Sequence, residues 1–188
     1  MTETMTKAMK RPGAVPASLA GLGVFVVLLA IGFVQAVLAT LSAVTWSSIA
    51  GDYLGQIWSD QLLSSLNGRL PFAVGVALCL WQIAPIAPAL RLAHVVTRSI
   101  LAALLGGAVV WLVLVVPQII VEIASTPFQT PASDVLGKLG LDALQDLFRA
   151  LALTAGYLPV AVLAAILLWG WLQRHPLDKA VHGTLDEV

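Results

Sequence analysis

The chain has 188 residues, of which 59% are hydrophobic and 11% charged; ten basic and ten acidic side chains leave a formal net charge of zero. That composition excludes an ordinary soluble domain. The single cysteine, Cys79, excludes an intrachain disulfide and reads as a small buried hydrophobe in an apolar run.

Residues 1–18 read as a disordered tail that ends in Pro12, Gly13 and Pro16. Four charge-free stretches carry the apolar load: Pro12 to Gly51, Leu70 to Leu90, Ser99 to Val121, and Ala150 to Gln173. Each holds the roughly 20 apolar residues a helix needs to cross about 30 Å of hydrocarbon. The first span is expected over 19–44. An outer loop over 45–69 follows, in which Leu54, Ile57, Trp58, Leu62 and Leu66 recur at helical spacing. This predicts an amphipathic helix at the membrane surface, closed by Asn67-Gly68 before Leu70-Pro71 opens the second span, 70–90. Pro85 and Pro88 are expected to bend the end of that span.

A short loop, 91–98, leads to the third span, 99–124. The second outer loop, 125–149, carries Leu136, Leu139, Leu144, Leu147 and Phe148 against Lys138, Asp142, Asp146 and Arg149. Gly137 and Gly140 weaken its start, so a firm helix is expected from Asp142. The fourth span, 150–173, and a tail, 174–188, complete the chain. Copy one has three residues between Leu66 and Leu70, and copy two has nine between Phe148 and Leu158. A break is therefore expected in the first and a more continuous helix in the second.

The two halves resemble each other. Asp52-Tyr-Leu-Gly55 and Asp60-Gln-Leu62 answer to Asp134-Val-Leu-Gly137 and Asp142-Ala-Leu144 at an offset of 82. Leu70 to Trp81 answers to Leu158 to Trp169 at an offset of 88, with seven of twelve pairs identical. The expected fold is all-α and integral to the membrane: a four-transmembrane-helix bundle from two tandem hairpins in parallel repeat, each with an amphipathic surface helix in its outer loop.

Seven basic and four acidic residues fall on the side of both termini, against three basic and six acidic on the other. The bias places both termini in the cytoplasm, and the compact, loop-poor design suits a bacterial plasma membrane. The basic start and apolar run also fit a cleaved signal peptide. The run from Leu19 to Val44 is longer than a typical signal core, and its Gln35 segment has a counterpart at Gln118, which favours a retained span.

Asp52, Asp60, Asp134 and Asp142 form a candidate acidic cap for docking a partner; each also precedes an apolar helical run, where a carboxylate serves as a helix cap. Gln35, Gln82, Gln118 and Glu122 are the polar residues deepest in the spans. They suit either interhelical hydrogen bonds or a transport path. His94, His175 and His182 share no metal-ligand spacing, so no metal site is expected. There is no phosphate-cradling glycine loop and no nucleophile–base constellation, so neither cofactor nor catalysis is implied. The tails are too short for a nucleic-acid-binding domain. The expected partners are the lipid bilayer and either a second copy or another membrane protein. The leading expectation is a non-enzymatic protein acting by association, as accessory subunit or homo-oligomer; the alternative is a small homo-oligomeric transporter or channel.

Overall fold

Among the described residues the apolar runs fold as helices, except at 84–91. The computed structural model describes residues 14–46, 50–125 and 132–175, and no strand occurs among them. Helix α1 is Ala14–Trp46 and α2 is Ala50–Ser64, which passes through a π turn, Ser65–Arg69, into α3, Leu70–Leu78. A second π turn, Cys79–Ile83, ends that rod; α4 is Leu92–Ser125 and α5 is Ala132–Arg174. Four helical stretches, Ala14–Ser42, Gly55–Ile83, Leu92–Ser125 and Val135–Arg174, are long and apolar enough to cross a membrane. At 1.5 Å per residue, α4 is about 50 Å long and α5 about 65 Å, well beyond a 30 Å hydrocarbon layer.

Several boundaries differ from the sequence expectation, each for a local reason. Helix α1 already begins at Ala14, within the expected tail, because a proline such as Pro16 is tolerated in a first turn. The expected stop at Asn67-Gly68 is absent. Pro71 cannot donate to a carbonyl four residues back, and its ring crowds that carbonyl. The π turn widens the helix just before it, with Leu70 N–H bonded to Ser65 O and helical backbone angles at Ser64, Arg69 and Leu70. The second span stops at Ile83, seven residues early. Ala84, ahead of Pro85, leaves the helical region at φ −133° and ψ 63°, as a residue before proline does.

Helix α4 starts at Leu92, inside the expected loop. Helix α5 runs unbroken from Ala132, ten residues before the expected firm start, through Gly137, Gly140 and Pro159. The two amphipathic stretches therefore continue the rods α3 and α5 rather than standing apart as separate surface helices.

Helix α1 packs against α2–α3 and α5, and α4 packs against α3 and α5. Neighbours run antiparallel. Gly21 faces Ala73 and Ala77 while Gly32 faces Arg69 and Gln61; Gly75 faces Gly106 while Arg98 Nη1 donates to Pro85 O. Gly107 faces Thr154, and Trp169 Nε1 donates to Leu90 O at 3.1 Å. The last two hydrogen bonds satisfy carbonyls in the non-helical 84–91 segment, which would otherwise be costly to bury.

Close approach explains the small residues. A Cβ on Gly75 would stand 2.7 Å from Gly106 Cα, and one on Gly106 would stand 2.8 Å from Phe72 O. Ala102, Ala103, Ala161 and Ala165 are all buried, so the small-residue pairs face into the bundle. Phe72, Val24, Val76, Val95, Val110 and Leu172 fill the space between rods, while leucines and valines cover the outside.

Gly106→Val is expected to lower stability by about 1–3 kcal/mol through overpacking against Phe72. Gly137→Ala, at a position with open space around it, is expected to raise stability by about 0.5–1 kcal/mol. Thermal unfolding of both variants in one detergent checks the contrast.

Candidate functional site

A polar side-chain cluster lies where α2 meets α3. Gln61, Ser65 and Arg69 recur every four residues and share one face of the helix. Ser65 Oγ donates to Gln61 O at 2.8 Å; Arg69 Nη1 donates to Ser65 Oγ at 2.8 Å, and Nη2 to Gln61 Oε1 at 3.3 Å. Arg69 is only 5% exposed, although the sequence places it in an exposed loop. Room for its guanidinium comes from Gly32, near the middle of α1, where any Cβ would run into Arg69 and the Gln61 amide. An arginine stays protonated in any protein environment. Its charge is held here by a hydroxyl and an amide, with no carboxylate partner among the described residues.

The π turn also aims the adjoining face, about 100° around the helix. One extra residue in a helical turn rotates everything before it by about 100° relative to everything after. Asp60, Ser64 and Asn67 thereby face Arg149 of α5 across a cavity of about 470 Å³. Leu63, Leu114 and Leu153 supply its apolar lining, and Gly68 adjoins Leu153 and Tyr157. Tyr157 packs edge-on against Phe72, ring centroids 5.2 Å apart, so an aromatic pair lies beside that part of the wall. Asp60, Asn67 and Arg149 are exposed, which gives the cavity a mouth. Neither Asp60 nor Arg149 makes a hydrogen bond or ion pair among the described residues. Nearby on α5, Asp146 is buried, and its Oδ2 meets no donor among them.

A second feature is apolar. Between α1 and α5 runs an outward-facing groove of about 540 Å³, lined by Ala20, Gly23 and Val27 on one side and Ala164, Leu167 and Trp171 on the other. Nothing lies within 4 Å of where a Gly23 Cβ would stand.

The residues singled out in the sequence are not gathered into one path. Gln35 is exposed on α1 and Gln118 is exposed on α4. Gln82 is half-buried in the second π turn, toward the end that carries Trp169. Glu122 lies at the opposite end, where Lys138 of α5 donates to both its oxygens at 2.8 and 2.9 Å. Of the four aspartates, Asp60 lines the cavity and Asp142 is half-buried. The side chains of Asp52 and Asp134 lie outside the described residues. Sequence reasoning missed Arg69 and Arg149. The available signal was Gln61, Ser65 and Arg69 at four-residue spacing, ahead of a proline.

Among the described residues, no three His, Cys, Asp or Glu side chains gather as metal ligands. Compared with protein-family models, curated proteins and solved structures, the chain matches none.

Gln61→Leu should leave the Arg69 guanidinium with Ser65 Oγ as its one side-chain acceptor among the described residues, and cost about 1–3 kcal/mol. The double variant Gln61→Leu/Arg69→Leu should recover much of that loss, since an apolar pair replaces a buried charge that has lost one of its two side-chain acceptors. A double-mutant cycle on unfolding free energies reads the coupling; additive effects would contradict the shared site.

Proposed function

We propose that this is a non-enzymatic multi-pass membrane protein that works by association, as an accessory subunit of another membrane protein or as a homo-oligomer. The observation that carries this reading is the α1–α5 groove. Its walls hold small residues at Ala20, Gly23 and Ala164, the residue type that lets a further helix approach closely in a bilayer. Exposed Gln35 and Gln118 support the same reading, because an amide facing hydrocarbon gains from an interhelical partner.

The architecture is proposed as two tandem hairpins in parallel repeat, in the plasma membrane, with both termini cytoplasmic; the antiparallel neighbours and the lysine–arginine bias support it. In this orientation the Glu122–Lys138 pair sits at the outer end, as an interfacial tie between α4 and α5. The acidic cap retains Asp142 as a candidate docking residue, with Asp60 turned to the cavity.

A second reading, a small transporter or channel, is favoured by one observation, the polar cavity at Asp60, Asn67 and Arg149. The glutamines are too dispersed to frame its path.

Gly23→Leu fills the groove at a position where the bundle has space. It should reduce association at least tenfold, measured by native mass in mild detergent, with the thermal midpoint of the single chain unchanged. An intact complex in this variant would remove the groove as the association surface.

A further inference from the structure

We propose that the cavity between α2, α4 and α5 binds a small zwitterion, a ligand carrying both a cationic nitrogen and an anionic oxygen-acid group. The proposal is independent of the α1–α5 groove and goes beyond association. It rests on the distribution of charge over the walls. The α2 wall carries Asp60, Ser64 and Asn67; the α5 wall carries Arg149. These opposite charges line one space, yet they form no ion pair with each other or with any other described residue. Both charged side chains are exposed at the mouth of the cavity, where a ligand can bring the opposite charge to each.

The chemistry selects among ligand classes. A simple anion would meet Arg149 but be repelled by Asp60. A simple cation would meet the reverse, and a neutral sugar would hydrogen-bond to both walls without bringing an opposite charge to either. A zwitterion brings a charge-assisted partner to both walls at once. Ser64 and Asn67 add a hydroxyl and an amide, which can donate or accept beside either charged group. Leu63, Leu114 and Leu153 contact the carbon body that joins them. The volume, about 470 Å³, falls within the range of small-molecule sites. The exposed mouth lets the ligand enter.

Two sources share this chemistry: the ethanolamine phosphate headgroup of a membrane lipid, and a free α-amino acid. Calorimetry on the purified full-length protein separates them, with glycerophosphoethanolamine, leucine, glycerol phosphate and ethanolamine as probes. At least one zwitterionic probe should bind at least tenfold more tightly than either glycerol phosphate or ethanolamine. Binding of glycerophosphoethanolamine alone assigns a lipid headgroup, and binding of leucine alone assigns an amino acid; both outcomes support the site.

Asp60→Asn and Arg149→Gln should each weaken the binding probe at least tenfold, and the swap Asp60→Arg/Arg149→Asp should recover part of it. These residues are exposed, so the fold tolerates the changes, and a thermal scan of each variant verifies it. Asn67→Leu is a further variant that leaves both charges in place and should weaken binding less. Absence of binding by both zwitterions would overturn the proposal. So would glycerol phosphate binding as tightly as the zwitterions, or unchanged affinity in both charge variants.

Discussion

The guanidinium of Arg69, enclosed halfway along a bundle of apolar rods, is the constraint from which the rest of the arrangement follows. A charge that cannot be neutralised must be hydrogen-bonded wherever water is excluded. Gln61 and Ser65 supply the acceptors from the same helix, which requires that the helix continue past Asn67-Gly68. Gly32 supplies the space from α1, which fixes how closely and at what height α1 and α2 meet. The π turn that accommodates Pro71 brings these groups into line and turns Asp60 and Ser64 toward α5. Backbone, charge and cavity are thus one problem with one solution.

Below that layer the packing is of a different kind. Glycine and alanine on α3, α4 and α5 let the rods approach until backbone meets backbone, and Phe72, Val76, Val110 and Leu172 close the remaining space. Association of apolar helices within lipid gains little from hydrophobic burial, so contact quality carries the stability. The two halves of the bundle therefore differ in what holds them. One half combines van der Waals fit with the Arg98–Pro85 and Trp169–Leu90 hydrogen bonds. The other depends on hydrogen bonds and on the Glu122–Lys138 pair, which ties α4 to α5.

Much of this was legible in the sequence, and the failures are instructive. The four spans follow from length and hydropathy, whereas the second helix continues through the expected stop before Pro71 and ends at Ile83, seven residues short of the expected bound. Asn67-Gly68 reads locally as a helix stop, but tertiary contacts of Gly68 with α5 and of Arg69 with Gly32 outweigh that preference. Charge counting assigned Arg69 to a wet loop because periodicity was read from the leucines alone. The polar stripe of Gln61, Ser65 and Arg69 has its own four-residue spacing and required the same attention. Ala132 to Gly140 shows the opposite bias: two glycines suggested a weak helix, yet continuity with a 43-residue rod and the Lys138–Glu122 pair hold it. The cavity was not legible at all. It depends on a rotation about the helix axis that one surplus residue introduces, and composition does not record that rotation.

A buried charge, a re-aimed helix face and an unpaired pair of opposite charges in one cavity form a coherent physical account, and it stands on α2 being a rotated continuation of α3. Paired-cysteine cross-linking in native membranes tests this directly, in a chain with Cys79 replaced by serine. With a short bifunctional maleimide, cysteines at Ser64 and Leu153, which line the same cavity, should cross-link efficiently. The pair at Leu62 and Leu153, with Leu62 turned outward at 66% exposure, should not. Equal cross-linking of the two pairs, or a preference for Leu62, would contradict the rotation and with it the cavity.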